Sequence, residues 1–135
     1  MNDCIFCKIV SGDLPSYKLY EDDDVLAFLD IAPVHPGHIL VIPKKHFKNF
    51  EEVPEDTLCK LIKVVKKLGL ALKNGMGYEA YNIGENNDPL AGQIVPHLHF
   101  HIIPRKENDG LQLWPQKEYA EGEAQEVIEK IKKFL

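Results

Sequence analysis

The stretch from Pro96 to Pro104 reads P-H-L-H-F-H-I-I-P, so imidazole and apolar side chains alternate between two prolines. A period of two is the mark of a β-strand, where alternate residues share a face and stand ~6–7 Å apart. Proline lacks the amide donor that a ladder needs, so strands tolerate it at their ends. The run predicts a strand opened by Pro96 and closed by Pro104, with His97, His99 and His101 on one face. Leu98, Phe100 and Ile102 point the other way, into a core. A chain with such a strand has to build a sheet with at least one covered face.

Four other segments supply the rest of that sheet. Ser16 to Asp22 and Val25 to Asp30 read as two strands joined by an acidic turn. His38 to Pro43 is β-branched and closed by proline, and Tyr78 to Gly84 follows later. Between them Leu58, Leu61, Ile62, Val65, Leu68 and Leu72 recur at helical spacing, with lysines opposite. Pro54 suits the first helical position, Glu55 and Asp56 the positive end of the dipole, and Gly75 the stop. Cys59 falls inside this pattern and reads as a small core residue. Glu85 to Gln93 is a loop rich in turn formers. Ala120, Ala124, Val127, Ile128, Ile131 and Phe134 form one apolar stripe, a C-terminal helix covering the core or a dimer contact. The fold class is α+β: a five-stranded antiparallel sheet, one main helix, a short helix and an extra C-terminal helix.

At 135 residues one domain is expected. No apolar run approaches the ~20 residues of a membrane span. The start, MNDCIFCKIV, lacks the basic region and long apolar stretch of a secretory signal, which points to the cytosol. A net charge of −5 disfavours a general nucleic-acid coat, since no basic excess drives counterion release. It leaves room for a small anion met by local donors.

Three imidazoles in register suit two kinds of chemistry. Alternate histidines on a strand can grip a zinc ion with a ligand from elsewhere. A neutral imidazole is also a good nucleophile toward phosphorus, and protonated neighbours neutralise phosphate oxygens and protonate a leaving group. Histidine titrates near pH 6.5, so one row can hold neutral and charged members together. The surroundings favour phosphorus. Gly92 admits close backbone approach, Gln93 and Asn82 carry amide donors, and Asp30 ends an apolar strand where a ribose could be bound. His99 needs an orienting acceptor, and with no acidic residue nearby in sequence a backbone carbonyl is expected.

The motif H-L-H-F-H-I-I resembles the alternating signature of the histidine triad family of nucleotide-binding hydrolases and transferases. The segments CIFCKIVSGDLPSYKLYEDD and AFLDIAPVHPGHILVIPKKH resemble the N-terminal half of the same family, so the likeness runs from about Cys4 to Arg105. It is closest to the small nucleoside phosphoramidate hydrolases, in the C-x-x-C-bearing microbial form. The resemblance implies a histidine triad domain at 1–110 and a C-terminal extension at 111–135. It implies that His99 attacks the α-phosphate, that His101 contacts the phosphate, that His97 shapes the other side and that His38 supports the nucleophile. It implies a purine slot of Ile5, Phe6, Ile9, Phe28, Leu29 and Ile31, with Asp30 on the ribose and Asn82, Gly92 and Gln93 as the phosphate and leaving-group loop.

Cys4 and Cys7 alone are half a metal site, equally readable as two buried thiols. The resemblance pairs them with His46 and His97 around a structural zinc, with no catalytic metal. It further implies a homodimer formed by the main helix and the following strand. His35 reads as a solvated loop residue, and Trp114 as a packing or dimer contact. Relatives often place serine or threonine after the glutamine, where this chain has Ile94. The reaction class expected is phosphoramidate hydrolysis on a purine nucleotide. Dinucleoside polyphosphate hydrolysis, a binding protein with weak catalysis and a zinc hydrolase are the rivals.

Overall fold

A computed structural model describes residues 3–135. The elements in chain order are α1 (Ile5–Ser11), β1 (Lys18–Glu21), β2 (Val25–Leu29), β3 (Ile39–Pro43), α2 (Glu55–Met76), β4 (Ala80–Glu85), β5 (Phe100–Arg105) and α3 (Glu123–Lys132). A 3-10 turn, Pro89–Ala91, lies between β4 and β5. The strands form one open antiparallel sheet in the order β1-β2-β3-β5-β4. This is the expected α+β architecture.

The sheet is covered on both faces, which explains the continuous apolar runs of its central strands. Val25, Ala27, Ile39 and Val41 pack toward α2, together with Leu98, Phe100 and Ile102. The alternate residues Leu26, Phe28, Leu40 and Ile42 pack against Phe6 and Ile9 of α1. Leu98 is fully buried between two histidines. Leu98→Ala should therefore cost about 2–5 kcal/mol, read by denaturant unfolding.

Several expectations shift. The fifth strand starts at Phe100, three residues beyond His97. The Leu98 amide donates to the Phe47 carbonyl at 2.7 Å, so the segment before the strand is held by a loop instead of a ladder. Pro54 is the N-cap of α2, and the helix runs past Gly75 to close on Gly77, whose left-handed φ of 73° lets its amide reach Lys73. Cys59 is exposed. The buried face of α2 runs through Leu61, Val64, Val65, Leu68 and Leu72, and Cys59 lies about 200° round the helix from Leu61. Ile62, about 100° from Leu61 at the edge of that face, is 45% exposed.

His35 is no solvated loop residue. Its side chain is 13% exposed and its Nε2 lies 3.4 Å from Asp109 Oδ2. The same carboxylate, 4% exposed, accepts from Arg105 Nε at 2.6 Å and Nη2 at 3.1 Å, and from the Leu111 amide at 3.1 Å. Asp109 thus braces the 31–38 loop and the start of the C-terminal extension against β5. No residue of α3 is buried, so this helix does not cover the core of its own chain.

Candidate active site

α1 is the first part of the site. The Cys7 amide donates to Cys4 Sγ at its start, and Gly12, at φ 87°, ends it. Phe6 and Ile9, three residues apart, share the face turned to the sheet. Phe6 stands edge-on to Phe28, His97 and His99, with centroids 5.5, 5.8 and 5.1 Å away. Beside it opens a cleft of about 490 Å³. Ile5, Phe6, Ile9, Phe28, Leu29 and Ile31 all line it, as do Asp30, Gly92, His99 and His101. An apolar cleft with a few convergent polar groups is the ordinary form of a small-ligand site. A second cavity, of about 500 Å³, lies toward α2 and touches Asp30 and His38, but it lacks His99.

Hydrogen bonds assign the imidazole tautomers. His99 Nδ1 donates to the His97 carbonyl at 2.8 Å, leaving Nε2 with a free lone pair. This is the backbone acceptor expected from sequence. The Val34 amide donates to His38 Nδ1 at 3.1 Å, so His38 carries its proton on Nε2 and donates it to His101 Nδ1 at 2.9 Å. His101 in turn keeps an Nε2–H. His101 stacks edge-on to His99 at 4.9 Å between centroids.

Burial pushes all of these histidines toward the neutral form. Desolvation is the main cause for His99 and His38, and the nearby Asp30 carboxylate opposes it in part. His101 is pushed down to about 4 by desolvation and then by His99 and His38. The row is therefore neutral near pH 7, not the mixture of charge states expected from unperturbed histidines.

His97 does not stand in the row with the other two. Its Nε2 donates to the Pro43 carbonyl at 2.8 Å, which turns Nδ1 toward Cys4 Sγ at 3.4 Å and Cys7 Sγ at 3.6 Å. His46 Nδ1 lies 3.3 Å from Cys7 Sγ. The ligand atoms of Cys4, Cys7, His46 and His97 all lie within 4.8 Å of one another, so the four can hold a metal ion. Two sulfurs and two imidazole nitrogens form a closed tetrahedral donor set, and the Pro43 bond keeps the His97 lone pair on the inward nitrogen. Without a metal, burial and then Cys4 push the Cys7 thiol up to about 11. Asp30, His38 and His101 also cluster. There the nitrogen facing the cluster carries the His38 proton, so that trio is a hydrogen-bond relay. A metal gripped by the histidine row itself, as in a zinc hydrolase, is not what this geometry builds.

Two expected ligands point elsewhere. Asn82 Oδ1 accepts from Arg105 Nη1 at 2.8 Å, its register partner Ile103 lies four residues beyond His99, and Asn82 does not line the cleft. Asn86 lines it instead. β4 pairs Gly84 with His101 and Glu85 with Phe100, so continuing the register sets Asn86 across from His99. Gln93 is buried, donating to the Lys48 and Val95 carbonyls and accepting from the Asp88 amide. It clamps the loop instead of facing the cleft. The Asp30 carboxylate accepts from the Ala32 amide at 2.9 Å and keeps its other oxygen 3.7 Å from His38 Nε2.

The HIT domain family matches residues 11–108. The chain belongs to the HIT family. An uncharacterized HIT-like protein of Methanocaldococcus jannaschii is 57% identical over 107 residues, which is 79% of this chain and 82% of that protein. The adenosine 5'-monophosphoramidase of Candida albicans is 42% identical over 138 residues, covering 98% of this chain and 91% of its own length. Among solved structures, a HIT family member from Bacillus subtilis superposes with a TM-score of 0.91 at 41% identity, covering 98% and 97% of the two chains. A zinc-bound histidine triad protein from Mycobacterium smegmatis superposes with a TM-score of 0.79 at 32% identity, covering 99% of each. No described helix of this HIT protein is long and apolar enough to cross a membrane.

Proposed function

We propose that this HIT protein hydrolyses phosphoramidates of purine nucleoside monophosphates through a nucleotidyl-histidine intermediate. The carrying observation is the tautomer chain: a buried, neutral His99 whose Nδ1–H is fixed by a carbonyl and whose Nε2 opens on the cleft. The relationship to the Candida albicans monophosphoramidase supports the reaction class. The purine packs against Phe6, Ile9 and Phe28, and the ribose hydroxyls donate to Asp30.

His99 Nε2 attacks the α-phosphorus, and the bond to the leaving nitrogen breaks. The bound phosphate oxygens accept from the His101 Nε2–H, and the departing amine takes up a proton from solvent. Water then attacks phosphorus and gives up a proton to solvent, and the bond to His99 breaks to free the nucleoside monophosphate. His38 is a positioning residue that holds the His101 ring through its Nε2–H.

The Cys4, Cys7, His46 and His97 cluster holds a structural zinc in this reading, supported by its donor set and by the zinc-bound relative. A bound zinc would tie the N-terminal segment to the catalytic one. A homodimer is supported by the exposed apolar residues Ile62 and Leu70 on α2 and Ile83 on the edge strand β4.

The test is acid-quenched incubation with adenosine phosphoramidate, followed by intact-protein mass spectrometry. An added mass of one AMP moiety is expected, and it should be missing from His99→Ala. Neither adduct nor AMP would overturn the proposal, and turnover confined to dinucleoside polyphosphates would replace it.

A further inference from the structure

His38 and His101 share one proton between them, and it can sit in two ways. His38 Nε2 donates to His101 Nδ1 at 2.9 Å, which leaves the His101 hydrogen on Nε2. The reverse state makes a bond of the same length: His101 Nδ1 donates, His38 carries its hydrogen on Nδ1, and His101 Nε2 is a bare lone pair. A bare nitrogen repels a phosphate oxygen where an N–H would bind it. The Val34 amide decides between the two, because it donates to His38 Nδ1 at 3.1 Å and would clash with a hydrogen there. Asp30 favours the same state from 3.7 Å, beyond hydrogen-bond distance.

Val34 lies in the loop between β2 and β3, and residues 31–34 and Pro36 are exposed, so burial does not hold its amide in place. Two side chains from the far side of the sheet do. The Tyr78 hydroxyl donates to the Pro36 carbonyl at 2.8 Å. The Asp109 carboxylate, fixed by Arg105, accepts from His35 Nε2 at 3.4 Å. Ala80 pairs with Arg105, so Tyr78 and Asp109 leave the β4–β5 pair at the same end, where the loop passes. The His38 amide donates to the His35 carbonyl at 3.0 Å, which ties the clamped turn to the relay.

We propose that Tyr78 and Asp109 are positioning residues for the reaction: by clamping the loop through Pro36 and His35 they keep the Val34 amide on His38 and so keep a hydrogen on His101 Nε2. Neither touches the cleft, and both act through His38. The inference rests on the phosphoramidase reading above for its effect on turnover, while the ring tautomers themselves are measurable without substrate. Only molecules with the His101 Nε2–H offer a donor to the phosphate, so kcat scales with their fraction.

The experiment follows the ring nitrogens by NMR in protein carrying isotope-labelled histidine, beside kcat for adenosine phosphoramidate and affinity for adenosine. It compares native protein, Tyr78→Phe, His35→Ala, His35→Gln and the double variant Tyr78→Phe with His35→Ala. Tyr78→Phe deletes one hydroxyl, and His35→Ala frees the loop from Asp109 without disturbing Arg105, so folding is spared. In native protein His101 Nε2 should read as N–H and His38 Nδ1 as bare. In the double variant both signals should move toward the opposite form and kcat should fall about five-fold, with adenosine affinity within about two-fold. His35→Gln still offers Asp109 a donor and should stay near native. Ring signals unchanged in the double variant would overturn the proposal, whatever happens to its melting temperature. Shifted signals with native kcat would overturn the link to turnover. Native ring signals as assigned, without any cleavage of the phosphoramidate, would overturn the phosphoramidase reading and leave the clamp to be judged by the ring signals alone.

Discussion

His99→Ala should lower kcat for adenosine phosphoramidate by at least about a thousand-fold while leaving AMP affinity within about three-fold. The asymmetry follows from geometry. Among the described residues, the only imidazole lone pair left free on the cleft wall is His99 Nε2, because His101 presents an N–H and His97 is turned to the cysteines. Removing the nucleophile removes the covalent route entirely, and losses of this order accompany such deletions. Binding should survive because the proposed purine wall of Phe6, Ile9 and Phe28 stands on different elements. The variant leaves the His97 carbonyl without its imidazole donor, at a cost of about 1–3 kcal/mol, so its melting temperature is measured alongside. A folded His99→Ala protein with native turnover would refute covalent histidine catalysis. His38→Ala should act more mildly, since His101 loses only the group that orients it.

The second large effect is on stability. Stripping metal with a strong chelator near pH 7 should lower the melting temperature by roughly 10 °C or more. An ion present at about a thousand times its dissociation constant stabilises the fold by about 4 kcal/mol, and a domain of this size shifts a few degrees per kcal/mol. Cys7→Ser should start from the lower melting temperature and no longer respond to chelator. Removing the metal returns Cys7 to a protonated thiol, with a pKa of about 11, and releases α1 from His97. Phe6 then loses its fixed place against His99, so activity declines together with stability. Loss of activity under chelation with an unchanged melting temperature would reject a structural metal and revive a catalytic one. Because metal binding displaces protons from the ligands, affinity should fall as pH is lowered.

Local pattern was enough for most of the architecture. The alternation of His97 to Ile102 and the heptad-like spacing of α2 each require one residue type per face, and burial on that face is a local property of the chain. The same logic failed at Cys59, where an apolar residue type sits on the solvent side of the helix. It failed again at His35, whose partner Asp109 is 74 positions away.

The substrate-side residues divide in the same way. Apolar positions of α1 and β2 converge on the cleft because hydrophobic burial against one sheet face brings them there. Asn82 and Asn86 differ by four positions, and only the β4–β5 register separates the one bonded to Arg105 from the one beside His99. Composition and spacing thus determined an α+β sheet protein with imidazoles clustered on β5 and the segment leading into it. Which nitrogen of each histidine is free was decided by the tertiary structure alone. The carbonyls of Pro43 and His97 and the amide of Val34 set the tautomers, and although a backbone acceptor for His99 was expected, which backbone group meets which ring nitrogen is fixed only by the folded chain.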